Sequence, residues 1–235
     1  MNDIWSGSTA LVTGASRGIG AAFADLLAAR GANLVLVARN GEALESIAAR
    51  LRPSGIAVTV LACDLTAPDA GASLVREVEH RGLTVDHLVN NAGEGPQGKF
   101  QDLPAERHLT TLNLNVKALV DLSARFLPGM IARRRGGLLN VASTAGWQGL
   151  RWMPVYSGSK AFVVTWSEAV WVGLRGTGIR CCCCSPGPVD TSYFEANHMT
   201  PPPRWIMQSP DTVARRALRA YERDACHVLT FLPFR

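Results

Sequence analysis

The run Ala10-Leu11-Val12-Thr13-Gly14-Ala15-Ser16-Arg17-Gly18-Ile19-Gly20 decides the fold. Its first four residues, apolar or β-branched, read as a short strand. Three glycines follow at the spacing G-x-x-x-G-x-G, at Gly14, Gly18 and Gly20. Residues without a side chain allow tight turning and close approach of backbone to a ligand. A helical pattern near 18–30 comes next. A helix starting there offers unpaired N–H groups and a positive dipole end to an anion. The competing reading is a tight turn with no ligand. The position directly after the first strand favours a pyrophosphate cradle that also contains Ser16, Arg17 and Ile19.

Outward from this run, strand and helix alternate. Apolar runs at 10–13, 34–38, 58–62, 87–90, 137–142, 179–184 and 228–232 read as strands. Helical patterns lie near 18–30, 41–52, 67–81, 104–133, 154–176 and 210–223. Continuous rather than alternating apolar strands point to a parallel sheet covered on both faces. The expected class is α/β: a doubly wound parallel sheet (Rossmann fold) of about seven strands flanked by helices, in a single domain over 1–235. The segment 192–209 has no clear period and contains Pro201-Pro202-Pro203. It reads as a loop or substrate lid.

Composition narrows the class further. The chain is 47% hydrophobic and 18% charged, which suits a water-soluble fold with a sizeable core. No apolar run reaches the ~18 residues of a membrane span. The start, Met1-Asn2-Asp3-Ile4-Trp5, does not read as a secretory signal. The net charge of +5 is dispersed apart from Arg133-Arg134-Arg135 and Arg215, Arg216, Arg219 and Arg223, so nucleic acid is not an expected partner. Four of the six cysteines are consecutive, Cys181 to Cys184. Neighbours on a strand point to opposite faces and cannot grip one metal ion together. They read as small apolar filling of a buried strand, and free thiols suit a cytoplasmic setting. The histidines His80, His87, His108, His198 and His227 show no metal-ligand spacing, so no metal is expected.

Two further patterns carry chemistry. The second strand ends Val37-Ala38-Arg39. Folds that prefer NAD place an acid there for the ribose 2′-OH. A cation at Arg39, with Arg17 as a second, favours NADP over NAD. In Tyr156-Ser157-Gly158-Ser159-Lys160, a phenol and an ammonium are four residues apart and share a helix face. A fixed cation beside a phenol favours the phenolate, giving a proton donor and acceptor usable near neutral pH.

Together with Asp64-Leu65, Asn90-Asn91-Ala92-Gly93, Ser143 and Pro186-Gly187, these motifs resemble the short-chain dehydrogenase/reductase family, classical NADP-preferring type. The resemblance runs in the family's order from Thr9 to about Thr191. It implies Tyr156 as catalytic acid/base, and Lys160 as the lysine that lowers its pKa and holds the nicotinamide ribose. It implies Ser143 as the serine that holds the substrate oxygen. Asn113 and Asn115 compete for the family's helix asparagine. Asn115-Val116-Lys117-Ala118 fits the pattern of Asn, apolar, any residue, then Gly or Ala, so Asn115 is chosen. Asp64 and Leu65 would flank the adenine. Asn91, Ala92 and Gly93 would line the cofactor cleft, with Asn90 bridging central strands. Pro186, Gly187, Val189 and Thr191 would orient the nicotinamide amide. Ala142 stands where many members have a serine. The chain ends soon after its last strand, which implies a reduced C-terminal part of the substrate pocket.

The implied activity is NADP(H)-dependent interconversion of a carbonyl and an alcohol. A catalytically silent dinucleotide-binding regulator, or an isomerase or dehydratase using the cofactor transiently, stays open. Trp147, Gln148, Leu150, Trp152 and Met153 are expected on one substrate wall, and Tyr193, Phe194, His198 and Trp205 on the other. Relatives pair their long helices, so a homodimer or homotetramer is expected, with apolar surface from Val163, Val164, Val170, Trp171 and Leu174.

Overall fold

The computed structural model describes residues 3–197 and 199–231. The strands are β1 (Thr9–Thr13), β2 (Asn33–Ala38), β3 (Val58–Ala62), β4 (His87–Asn90), β5 (Gly137–Val141), β6 (Arg180–Ser185) and β7 (His227–Leu229). They form one sheet in the order β3-β2-β1-β4-β5-β6-β7, and every pairing is parallel. The order reverses between β1 and β4. That switch point is where open α/β sheets bind ligands, beyond the strands' carboxyl ends.

Helices α1 (Gly18–Ala28), α2 (Gly41–Leu51), α3 (Ala70–His80), α4 (Ala105–Leu112), α5 (Ala118–Arg133), α6 (Pro154–Gly173), α7 (Tyr193–Ala196) and α8 (Pro210–Glu222) complete the fold. Local chemistry sets several starts. The Asn40 side chain accepts from Ala43 N–H at 3.0 Å and caps α2. Ser209 caps α8 in the same way at 3.1 Å, with Pro210 at its first position. Pro154 likewise opens α6.

Side chains alternate across the sheet. Ala10 and Val12 of β1 face a core shared with α1, α2 and α8. Leu11 faces the other core, built with α3 and α5. The cysteine strand follows the same rule: Cys182 and Cys184 join the first core, while Cys181 and Cys183 point to the opposite face. All four are fully buried, and burial pushes every thiol up, Cys183 to about 12. They are packing groups.

The structure departs from the sequence reading in three places. The expected helix 104–133 is split by a π-helical segment, Asn113–Lys117, between α4 and α5. The segment 192–209 holds α7 and a 3₁₀ turn, Arg204–Ile206, and Val189 pairs with Gln208. The last strand ends at Leu229, and Leu232 lies outside the described residues.

The expected interface residues also need correction. Val163, Val164 and Leu174 are buried in the chain's own core, with Val170 and Trp171 packed against it. The exposed apolar residues of α4 and α6 are instead Leu109, Leu112, Phe162 and Val172. Among the described residues, no helix is long and apolar enough to cross a membrane.

Candidate active site

The turn after β1 is shaped by its glycines. Gly14 and Gly18 have φ of +64° and +57°. Gly20 has no room for a side chain, because a Cβ there would lie 2.2 Å from Gly14 O and 2.6 Å from Asn91 Nδ2. The α1 N-terminus has no side-chain cap and no acid in its first turn, which leaves its N–H groups for an anion. Across the switch point, Thr13 Oγ1 accepts from the N–H groups of Asn91 and Ala92, both at 3.0 Å. Asn91 Nδ2 donates to Thr13 O (2.8 Å) and Gly14 O (3.2 Å). Asn91 therefore staples the two loops while it lines the cleft. Asn90 bridges inward, donating to Asn140 Oδ1 (2.9 Å) and Ser123 Oγ (3.1 Å).

The cleft along the strand C-termini has a volume of about 850 Å³. At one end stand Arg17, Arg39, Asp64 and Leu65. Arg17 and Arg39 are exposed, and among the described residues neither forms a salt bridge. The Thr66 N–H and hydroxyl hold the Asp64 carboxyl below its usual range, with a smaller pull from Arg39. Pro186, Gly187, Val189 and Thr191 form another wall. Thr191 sits over Gly18, so this loop closes onto the glycine turn.

Ser143, Tyr156 and Lys160 meet beside Gly93. Ser143 follows β5, and its Oγ accepts from Ala145 N–H at 3.1 Å, starting the turn Thr144–Trp147. Its hydroxyl also acts on the Tyr156 phenol, favouring the ionised form. Lys160 is 4% exposed and donates to Val141 O at 2.8 Å. Burial lowers its pKa to about 8. The ammonium lies 5.9 Å from the centroid of the Tyr156 ring. Tyr156 differs from the expectation of a phenol lowered by its lysine. Burial raises its pKa, while hydrogen bonds from Ser143 and Tyr193 pull it back. The ammonium is committed to the Val141 carbonyl, so desolvation of the phenol wins.

Asn115 is 1% exposed and sits in the π-helical segment. An inserted residue there re-aims the side chain, a device common at functional sites. Its amide donates to Glu94 O (2.8 Å) and Ser159 Oγ (2.9 Å), and its Oδ1 accepts from Glu94 N–H (3.0 Å). A Cβ on Gly93 would lie 3.2 Å from both Asn115 Oδ1 and Lys160 Nζ. Asn115 thus clips the loop after β4 next to the lysine. Asn113 is less buried and makes no such contact among the described residues.

The residues flanking the cleft sort differently from expectation. Gln148, Leu150, Met153, Tyr193 and Phe194 line it. Trp147 turns outward, donating to Ser185 Oγ at 3.2 Å and packing on His227. Trp152 turns outward between Lys99 and Arg151. Trp205 is exposed and is not part of the wall. His198 lies outside the described residues.

The family model for short chain dehydrogenases matches residues 8–201. The chain belongs to this family. It is 36% identical over 205 residues to an uncharacterized oxidoreductase of Myxococcus xanthus, covering 87% of this chain and 80% of that one. A short-chain dehydrogenase from Sphingobium yanoikuyae in complex with NADPH superposes with a TM-score of 0.90 at 32% identity, covering 97% and 89% of the two chains. The bulky-bulky ketone specific alcohol dehydrogenase from Comamonas testosteroni gives 0.85 at 28% identity, covering 97% and 87%.

Of the site residues read from the sequence of this short-chain dehydrogenase, Gly20 and Asn115 stand behind the wall, and the others line the cleft. Met199 and Phe231 line it too and were missed. The Phe231 ring lies against Gly187. The seventh strand in parallel register carries the chain to the cleft edge just before Phe231, a signal that the strand pattern contained.

Proposed function

We propose that the chain is an NADP(H)-dependent oxidoreductase that interconverts an apolar ketone or aldehyde with its alcohol. One observation carries the proposal: Ser143, Tyr156 and Lys160 converge from β5 and α6 at one end of a cleft whose other end is the glycine turn and two exposed arginines, Arg17 and Arg39.

The cleft fits a dinucleotide. The glycine turn leaves backbone N–H groups open where a pyrophosphate would lie. Arg39 and Arg17 would take a 2′-phosphate, and Asp64 and Leu65 would flank the adenine. Gly93 and the Pro186–Thr191 wall would receive the nicotinamide end. When bound, NADPH supplies the hydride.

In reduction, negative charge develops on the substrate oxygen. Ser143 and Tyr156 donate hydrogen bonds to it as it forms. Tyr156 then passes its proton to that oxygen. Lys160, held neutral more readily than a surface lysine, would keep its ammonium when phenolate or ribose oxygens face it. Asn115 holds the loop that carries Gly93 and Gly95 under these groups. In oxidation the same proton runs from the alcohol to Tyr156.

Leu150, Met153, Phe194 and Met199 make the substrate end largely apolar, with Gln148 as a polar contact. The likeness to a bulky-ketone alcohol dehydrogenase supports the same class. Residues 192–209 would act as the lid. Leu109, Leu112, Phe162 and Val172 support assembly into a homodimer or homotetramer, which light scattering would test.

The test is NADPH consumption by the purified protein with a panel of aromatic, alicyclic and phosphorylated carbonyls. Turnover of the apolar members is expected. No turnover of any member, with NADPH bound, would favour the silent regulator. Turnover confined to phosphorylated sugars would overturn the substrate class.

A further inference from the structure

A second phenol stands against the first. Tyr193, at the start of α7, places its ring centroid 6.1 Å from that of Tyr156. Both crowd one glycine: a Cβ on Gly95 would lie 2.4 Å from Tyr156 Cδ2 and 2.5 Å from the Tyr193 hydroxyl oxygen. The hydroxyl has one proton and two acceptors. Gly95 O is 3.5 Å away, at the limit of a hydrogen bond. The phenol of Tyr156 stands beside it, and the pull of Tyr193 on that phenol marks the Tyr156 oxygen as the other acceptor.

Position is fixed from both sides. Asn197 Nδ2 donates to Tyr193 O at 2.8 Å, and Asn197 Oδ1 accepts from Gly95 N–H at 3.4 Å. The lid helix is therefore latched to the loop that Asn115 clips.

We propose that Tyr193 is a positioning residue for the reaction: its hydroxyl donates to the oxygen of Tyr156 and makes Tyr156 the member of the pair that gives up and takes back the proton. The proposal rests on the acid/base role of Tyr156 argued above.

The charged and titratable surroundings of the pair fit this division. Lys160 faces Tyr156 from α6, and Ser143 faces it from the end of β5. Glu94, on the loop after β4, faces Tyr193 and opposes its ionisation. Arg107 lies 4.0 Å from the Glu94 carboxylate, and Thr111 donates to it at 3.4 Å. The phenol nearer the cation ionises, and the phenol nearer the carboxylate stays a donor.

The chain makes a direct test available, because it has three tyrosines. Tyr221 is sealed in the core against His87, and burial holds its phenol well above the ordinary range. Ultraviolet phenolate absorbance against pH would be compared for wild type, Tyr193→Phe and Tyr156→Phe. The first phenolate to appear in wild type should vanish in Tyr156→Phe and move to higher pH in Tyr193→Phe. With NADP bound, alcohol oxidation by Tyr193→Phe should fall roughly tenfold near neutral pH, the worth of one charge-assisted hydrogen bond, and recover as pH rises. Ketone reduction should fall as well, because the same bond steadies the phenolate that reduction leaves, and there the loss should not recover as pH rises.

Asn197→Ala loosens the lid and keeps the hydroxyl. It should lower both directions alike at every pH and leave the phenolate midpoint in place. If Tyr193→Phe behaves in that way, Tyr193 is only a lid contact and the proposal is wrong. Full activity of Tyr156→Phe would remove the parent reading. A silent Tyr156→Phe beside a Tyr193→Phe that titrates like wild type would remove this proposal alone.

Discussion

Asn115→Ala is the most informative test of how the loop under the active site is held. The substitution removes three hydrogen bonds, to Glu94 O, from Glu94 N–H and to Ser159 Oγ. At a net ~1 kcal/mol for each, the loss is about 3 kcal/mol. Glu94 is only half-buried, so water can partly replace the backbone partners, and Ser159 keeps its bond to Tyr156 O at 2.7 Å. For a chain of this length each kcal/mol moves Tm by about 2–4 °C, so a fall of about 6–12 °C is the upper expectation. The parallel variant Asn113→Ala lacks these bonds and should move Tm by much less. The assay is calorimetry, with denaturant unfolding as the second measure. Activity should fall with stability in Asn115→Ala, because the released loop carries Gly93 and Gly95 beneath Lys160 and Tyr156. A Tm within about 2 °C of wild type, or a larger loss in Asn113→Ala, would refute the reasoning.

Other variants probe other parts of the cleft. Gly20→Ala forces a methyl against Gly14 O, and overpacking of this kind costs about 1–3 kcal/mol; titration should show weaker NADPH binding as well as lower stability. Arg39→Ala should lower kcat/KM with NADPH by roughly ten- to hundredfold, the worth of a charge-assisted phosphate contact, and barely change it with NADH. Lys160→Met should abolish turnover yet be the more stable protein near neutral pH. The sign follows from the pKa: Lys160 titrates near 8 in the fold against 10.5 ordinarily, so the unfolded chain binds more protons between those values. The wild type therefore gains stability across that window, and the advantage of Lys160→Met over it should shrink as pH rises, as paired denaturation curves would show.

Much of the architecture was legible because strands in a doubly covered parallel sheet are continuous apolar runs. Each predicted strand overlaps an observed one, and the glycine spacing marked the cradle. The Cys181–Cys184 run was readable from strand alternation alone. The split between α4 and α5 was not readable, because a π-helical insertion keeps an ordinary helical composition. Asn115 was nonetheless singled out by the small residue at Ala118, which packs in the core where α5 begins. The tryptophans were misplaced for a related reason. Trp147, Trp152 and Trp205 lie in turns and loops, where no period fixes side-chain direction, and size alone does not put a ring in a pocket. Val163, Val164 and Leu174 were misassigned because periodicity finds an apolar face of α6 but not whether this chain's own sheet covers it. The perturbation of Tyr156 was read with the wrong sign. Sequence showed the lysine four residues on, but not the Val141 carbonyl that holds its ammonium or the phenol of Tyr193.

The central claim is that Tyr156 moves the proton in a hydride-transfer reaction. Single-turnover reduction of an apolar ketone by NADPH, comparing wild type with Tyr156→Phe at matched cofactor occupancy, tests it most directly. Loss of positioned proton transfer should slow the step by roughly 10²–10⁴-fold while NADPH binding is kept. Near-wild-type reduction by the phenylalanine variant with NADPH bound would contradict the account.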